Sequence, residues 1–130
     1  MKPVTLKKVK QDEAVELQAM VLRYSDRQAM NLNPQMSLLY FDTILQLDIM
    51  KRLVLIFRNK IESPASKFTL SLKPSEAVVL LYSCQYGYDD APENIYTRTI
   101  AEKFKNEIDQ QLKSLIIRTQ STPYSINLLY

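Results

Sequence analysis

"PQMSLLYFDTILQLDIMKRLVLIFRNKIE", residues 34–62, decides the fold. Its apolar residues recur every three or four positions, the spacing that stacks side chains on one face of a helix. Met36, Leu39, Tyr40, Leu47, Met50, Val54, Phe57 and Ile61 form one stripe; Leu38, Phe41, Leu45, Ile49 and Ile56 form a second. Two stripes cover more than half the circumference, and a helix so apolar must be enclosed. Asp42, Asp48, Lys51, Arg52 and Arg58 interrupt the run too often for a membrane span. The expectation is a central helix over about 34–62, roughly 40 Å long, with the domain packed around it or a partner covering part of it.

Working outward, residues 12–31 read as a preceding helix, with Ala14, Leu17, Val21 and Tyr24 at helical spacing. It stops at "NLNP", where Asn33 has the chemistry of an N-cap and Pro34 that of a first helical position. On the other side, "KFTLSLK" (67–73) alternates apolar and polar residues, the strand period. Val4-Leu6 and Ile126-Leu128-Tyr130 alternate in the same way, so a small two- or three-stranded patch from 4–9, 67–72 and 125–130 can flank the helices. Pro74-Ser75-Glu76 opens a third helix, expected to end near Tyr86 with Gly87 in the left-handed conformation and Tyr88 folded back on Tyr82. Asp90-x-x-Glu93 then reads as the capping box of a fourth helix over about 91–117, striped by Ile100, Phe104, Ile108, Leu112 and Leu115. The fold expected is mainly α: one four-helix bundle-like domain over 1–130, with short loops that favour antiparallel neighbours.

Composition narrows the function. Glycine occurs once in 130 residues, where about 7% is usual. Phosphate-cradling loops of the GxGxxG and GxxxxGK kinds therefore have no place here. There is no histidine, which removes the commonest general base and the commonest transition-metal ligand. A single cysteine, Cys84, cannot form an internal disulfide or a multi-cysteine zinc site, and within an apolar run it reads as a small buried hydrophobe. "MKPVTLKKVK" carries lysines with no apolar run behind them, so no secretory signal is read and a cytoplasmic location is expected. No catalytic residue, metal or cofactor is assigned.

Three sets of residues remain as candidate sites. Tyr86, Tyr88 and Tyr96, with Tyr82, could form an aromatic recognition surface, since tyrosine joins wide contact area to a polar tip. Lys7, Lys8 and Lys10, with Lys51, Arg52 and Arg58, could contact phosphates, although the net charge of +3 is mild. Asp89, Asp90 and Glu93 could ligate a hard cation but fit helix capping better; the same acids oppose a helix-turn-helix reading of this corner. Glu13 and Glu16 lie three apart on one helix, a carboxylate pair that an enzyme reading could use but that is usually wet surface on an amphipathic helix. The function expected is a small non-enzymatic interaction or assembly domain that self-associates through surplus apolar surface on residues 34–62 and the ending "SINLLY". The alternative is an accessory nucleic-acid-binding protein that uses the basic residues of the N-terminus and of the second helix.

Overall fold

The structure, a computed structural model, describes residues 2–120, with side chains through residue 115. The chain runs β1 (Val4–Lys10), α1 (Gln11–Met30), α2 (Ser37–Ile61), β2 (Lys67–Leu72), α3 (Pro74–Asp90) and α4 (Ile95–Gln120). It is mainly helical, with a two-stranded antiparallel sheet. The third alternating segment, 125–130, and the apolar ending lie outside the described residues.

The ribbon pairs Val4 with Leu72, Thr5 with Ser71, Leu6 with Leu70, Val9 with Phe68 and Lys10 with Lys67. Between Leu6 and Val9, β1 has one residue more than β2, so Lys7 and Lys8 together face Thr69. The bulge answers a slip in the sequence. Val4 and Leu6 share a phase, Val9 is out of phase by one, and an extra residue returns Val9 to the inner face. Val4, Leu6, Val9, Leu70 and Leu72 are all fully buried. Lys8 takes the left-handed conformation, φ 56°, to make the turn. On the outer edge of β1, Gln111 of α4 pairs with the backbone of Thr5: its side-chain oxygen accepts from the Thr5 N–H (2.9 Å) and its amide donates to the Thr5 carbonyl (2.7 Å). One side chain thus closes part of a strand edge that would otherwise be open to pairing.

Each strand is followed by two helices, and the two halves share a sequence. Lys-x-x-Glu-Ala-Val-x-Leu occurs at Lys10–Leu17 and again at Lys73–Leu80, each time preceded by a Thr-Leu in the strand (Thr5-Leu6, Thr69-Leu70). The shared residues do the same work in both places. Glu13 accepts a hydrogen bond from the Lys10 N–H (3.0 Å), and Glu76 accepts one from the Lys73 N–H (2.9 Å). Each glutamate thereby satisfies an orphan donor at its helix start, the reciprocal half of a capping box. Ala14 and Ala77, and Leu17 and Leu80, are fully buried. The strand register obeys the same symmetry. Exchanging the halves converts the Val4–Leu72 pair into the Val9–Phe68 pair and leaves Leu6–Leu70 in place, so a local twofold passes through that pair.

The core is one cluster. It is filled by the ribbon's inner face, Leu17, Met20 and Val21 of α1, Val79, Leu80 and Cys84 of α3, and Ile100, Phe104 and Ile108 of α4. From α2 come Met50, Leu53 and Phe57. The stretch 34–62 is therefore not the enclosed centre that its two stripes imply. Its C-terminal half packs inward, while in its first half Thr43 is the only buried residue. Helical periodicity shows which residues share a face, not what covers that face; α1, which packs against α2, α3 and α4, occupies the centre instead.

Two helix boundaries also differ from the sequence reading. α3 runs through Gly87 to Asp90, and Gly87 does not have positive φ. The glycine is there for proximity: a Cβ at this position would lie 2.8 Å from Cγ and Sδ of the buried Met20 on α1. Asp90 therefore ends α3 instead of capping α4. The cap of α4 is Asn94, whose side-chain oxygen accepts from the Thr97 N–H at 3.1 Å. Asn33 similarly makes a local turn, accepting from the Gln35 N–H (3.0 Å), and α2 starts later, at Ser37.

Gly87→Ala should lower stability by about 1 kcal/mol, because overpacking against Met20 outweighs the roughly 1 kcal/mol of helix propensity that alanine gains. In a Met20→Ala background the sign should reverse. Urea denaturation of the four proteins of this cycle checks it, and an equal effect in both backgrounds would contradict the close-approach account.

Candidate functional site

Two exposed faces stand out, at opposite ends of the α1–α2 hairpin. The first is the N-terminal half of α2. Leu38 is 83% exposed, and Leu39, Phe41 and Leu45 are all more than half exposed. The reason is the helical phase. Thr43, Met50 and Phe57, spaced by sevens, face the domain, so Leu38, Phe41, Leu45, Asp48, Arg52 and Leu55 face away from it. The hairpin is nonetheless tied together near its middle: the Tyr24 hydroxyl donates to Gln46 (3.3 Å), and the Gln28 amide donates to both. At the other end the Gln11 amide donates to the Ile61 carbonyl, fixing the end of α2 beside the start of α1. The apolar stripe is thus held on a well-anchored helix. Large apolar side chains exposed together on one helix face are a common mark of an interaction surface.

The second is the outer face of the ribbon. With Val4, Leu6, Val9, Phe68, Leu70 and Leu72 turned inward, the outward residues are Thr5, Lys7, Lys8 and Lys10 of β1 and Lys67, Thr69 and Ser71 of β2. Lys73 follows at the start of α3 and is also exposed. Lys10 and Lys67 stand directly opposite one another, and like charges so placed destabilise a strand pair. Among the described residues none of these lysines forms an ion pair. Beside β1 a groove of about 500 Å³ opens toward α4, and there Glu107 lies with Lys2 and Lys7.

The structure separates the basic residues grouped by sequence. Lys7, Lys8 and Lys10 belong to the ribbon face. Lys51 lines a shallow groove with Leu22 and Leu55, and Arg58 lines another with Gln18 and Glu62, both between α1 and α2. Lys67 and Lys73, not singled out in the sequence reading, join the ribbon set only because β2 pairs with β1. The tyrosines do not form one surface either. Tyr86 packs its ring against Tyr24 of α1 (centroids 5.5 Å apart), Tyr88 lies under the Arg98 guanidinium (4.1 Å), and the Tyr96 hydroxyl donates to Asp12 (3.1 Å). Tyr86 and Tyr88 are two apart on a helix and must face different ways.

The carboxylate pair is occupied structurally. Glu13 is buried, caps α1 and takes an ion pair from Lys103 at 2.7 Å. Glu16 accepts from the Thr97 hydroxyl (2.7 Å) and faces Arg23 at 3.6 Å. Together with Asp12–Tyr96 these bonds lace α4 onto α1. Asp89 is exposed and accepts from Gln85 on its own helix.

Cys84 is fully buried, and desolvation pushes its thiol up to about 12, with Lys105 a smaller opposing influence. The folded thiol keeps its proton where an ordinary one, near 9.0, has lost it. Stability is therefore full below about pH 9 and falls as pH rises from there toward about 12. A thiol reagent at mildly alkaline pH should leave the folded protein unmodified and react after unfolding, and the alkaline loss of stability should be shallower in Cys84→Ala. Rapid native-state labelling would contradict the burial. Comparison of the chain with family models, with curated proteins and with solved structures gives no match.

Proposed function

We propose that the protein is a non-enzymatic assembly module, in which four helices act as one bundle-like scaffold that presents the N-terminal half of α2 to a second copy of the chain. The observation that carries this reading is the uncovered stripe Leu38, Phe41 and Leu45 on a helix otherwise anchored to the core. Burying it is the available gain: each leucine transferred from water contributes about 1.5–3 kcal/mol, and the exposed apolar side chains together offer several hundred Å², the scale on which one side of a stable interface is built.

The order of residues along the outward face favours a second copy as the occupant. Two α2 helices crossing antiparallel about Gln46 and Leu47 bring Leu38 of each against Leu55 of the other and set Phe41 beside Arg52, where a guanidinium can lie over the ring. The engagement of Glu13 and Glu16 in caps and interhelical bonds, together with the protonated state of Cys84, supports a reading without chemistry.

Sedimentation equilibrium should give a mass twice the 15.1 kDa of the chain. Leu38→Ser combined with Phe41→Ser should give a monomer with an unchanged circular dichroism spectrum. Leu55→Ser should weaken the dimer by removing the surface that Leu38 of the other copy meets. A strict monomer at high concentration would end the proposal, and a Leu55→Ser protein that dimerises as tightly as the wild type would remove the antiparallel register.

A further inference from the structure

We propose that the outer face of the β1–β2 ribbon binds double-stranded DNA, with the ribbon lying in the major groove. The inference is independent of self-association: it concerns the other end of the domain and none of the α2 stripe residues.

The argument starts from shape. The major groove is about 12 Å wide and admits a two-stranded antiparallel ribbon; two strands lie about 4.8 Å apart, with side chains standing off the face. A ribbon can be used this way only if one face is free; among the described residues the helices cover the inner face and α4 borders the edge of β1 at Gln111, while the outer face is uncovered. The arrangement of residue types on the free face then follows the division of labour in DNA recognition, in which basic side chains take phosphates and short polar ones take base edges. The hydroxyls of Thr5, Thr69 and Ser71 occupy the middle of the ribbon. Lysines occupy its ends: Lys10 and Lys67 at one, Lys73 and Lys2 at the other, with Lys7 and Lys8 on the bulge between.

Two further observations point the same way. Lys10 and Lys67 are paired directly across the ribbon, and among the described residues neither ammonium forms an ion pair. That repulsion weakens the strand pair in isolation and is relieved when a polyanion lies across it. The local twofold through Leu6 and Leu70 also matches a symmetry of the ligand. It relates Thr5 to Thr69 and Lys10 to Lys73, and duplex DNA has a dyad perpendicular to its axis at every base pair. A twofold reader on that dyad meets similar contacts on both strands and selects a pseudo-palindromic site. An anionic membrane surface fits less well, because stable interfacial binding needs apolar side chains to enter the lipid as well as charge, and this face carries none.

The test is fluorescence anisotropy of the full chain with a labelled random-sequence duplex about two helical turns long, titrated at several salt concentrations. Five neutralised phosphates predict a slope of log K against log salt of about −4 to −5. Lys10→Ala with Lys67→Ala should flatten that slope by about 2, while Arg27→Ala with Arg58→Ala should leave it unchanged. Both pairs are exposed, and circular dichroism melting confirms that each variant folds. Selection from a random duplex library should return an inverted repeat, whose preference is lost in Thr69→Val. Absence of binding at low salt, a slope that responds to the Arg27 and Arg58 pair and not to the ribbon pair, or tighter binding to phosphatidylserine vesicles than to the duplex would each overturn the proposal. Loss of self-association in the Leu38→Ser, Phe41→Ser protein should leave random-duplex affinity per chain unchanged, so the two readings fail separately.

Discussion

The antiparallel pairing of β1 with β2 is the constraint on which the rest of the molecule depends. It joins segments distant in sequence and pays the loop-closure entropy of the fold in one step. Its inner face supplies Val4, Leu6, Val9, Leu70 and Leu72 as a fully buried floor. Because the pair has a local twofold, both strands deliver their helices to the same side, and Glu13 and Glu76 fix how each helix leaves its strand. α1 and α3 then pack closely against one another, and the contact between Gly87 and Met20 is the measure of that closeness. Without the pairing, each half would be a strand and two amphipathic helices with no cover for their apolar faces.

The halves are related but have diverged in their second helices. α4 buries Ile100, Ala101, Phe104 and Ile108, reaches across to α1 through Tyr96, Thr97 and Lys103, and closes the edge of β1 with Gln111. α2 contributes three large buried side chains from its second half and a tether at Gln46, then continues upstream with its apolar residues in water. Those apolar residues lie on the outward face of α2, where they do nothing for the stability of a single copy.

Much of the fold was legible, and the failures have separate causes. The strict alternation at 67–72 and the Val4-Leu6 pair marked the strands, whereas the bulge was not read, because the slip at Val9 gains meaning only once β2 is paired opposite it. The repeated Lys-x-x-Glu-Ala-Val-x-Leu was also present in the sequence, but β1's extra residue shifts the strands against the helices by one, so no single offset aligns both. Gly87 was misread because glycine answers two needs, positive φ and close approach, and only the position of Met20 tells them apart. Asp90 and Asn94 both have N-cap chemistry; the continuation of α3 decides between them. The stripes of residues 34–62 gave the right faces but not their occupants, since enclosure is a property of the other elements. The same holds for the ribbon face: Lys7, Lys8 and Lys10 were visible as a basic group, whereas Lys67 and Lys73 join it only through long-range pairing.

The placement of the two faces limits what they can do together. Lys10 and Gln11 join the ribbon to the start of α1, and the Gln11–Ile61 bond brings the end of α2 to the same place. α2 then runs away from the ribbon, and its uncovered half lies roughly 20–35 Å distant at 1.5 Å per residue. A second copy seated on that half leaves the ribbon free. In an antiparallel crossing about Gln46 and Leu47 the two C-terminal ends of α2 point in opposite directions, so the ribbons stand at opposite ends of the dimer, on the order of 40 Å apart. Ribbons so placed cannot share one stretch of major groove. In the proposed dimer the two ribbons would engage separate duplex segments, and the twofold for reading a single site is the one inside each chain.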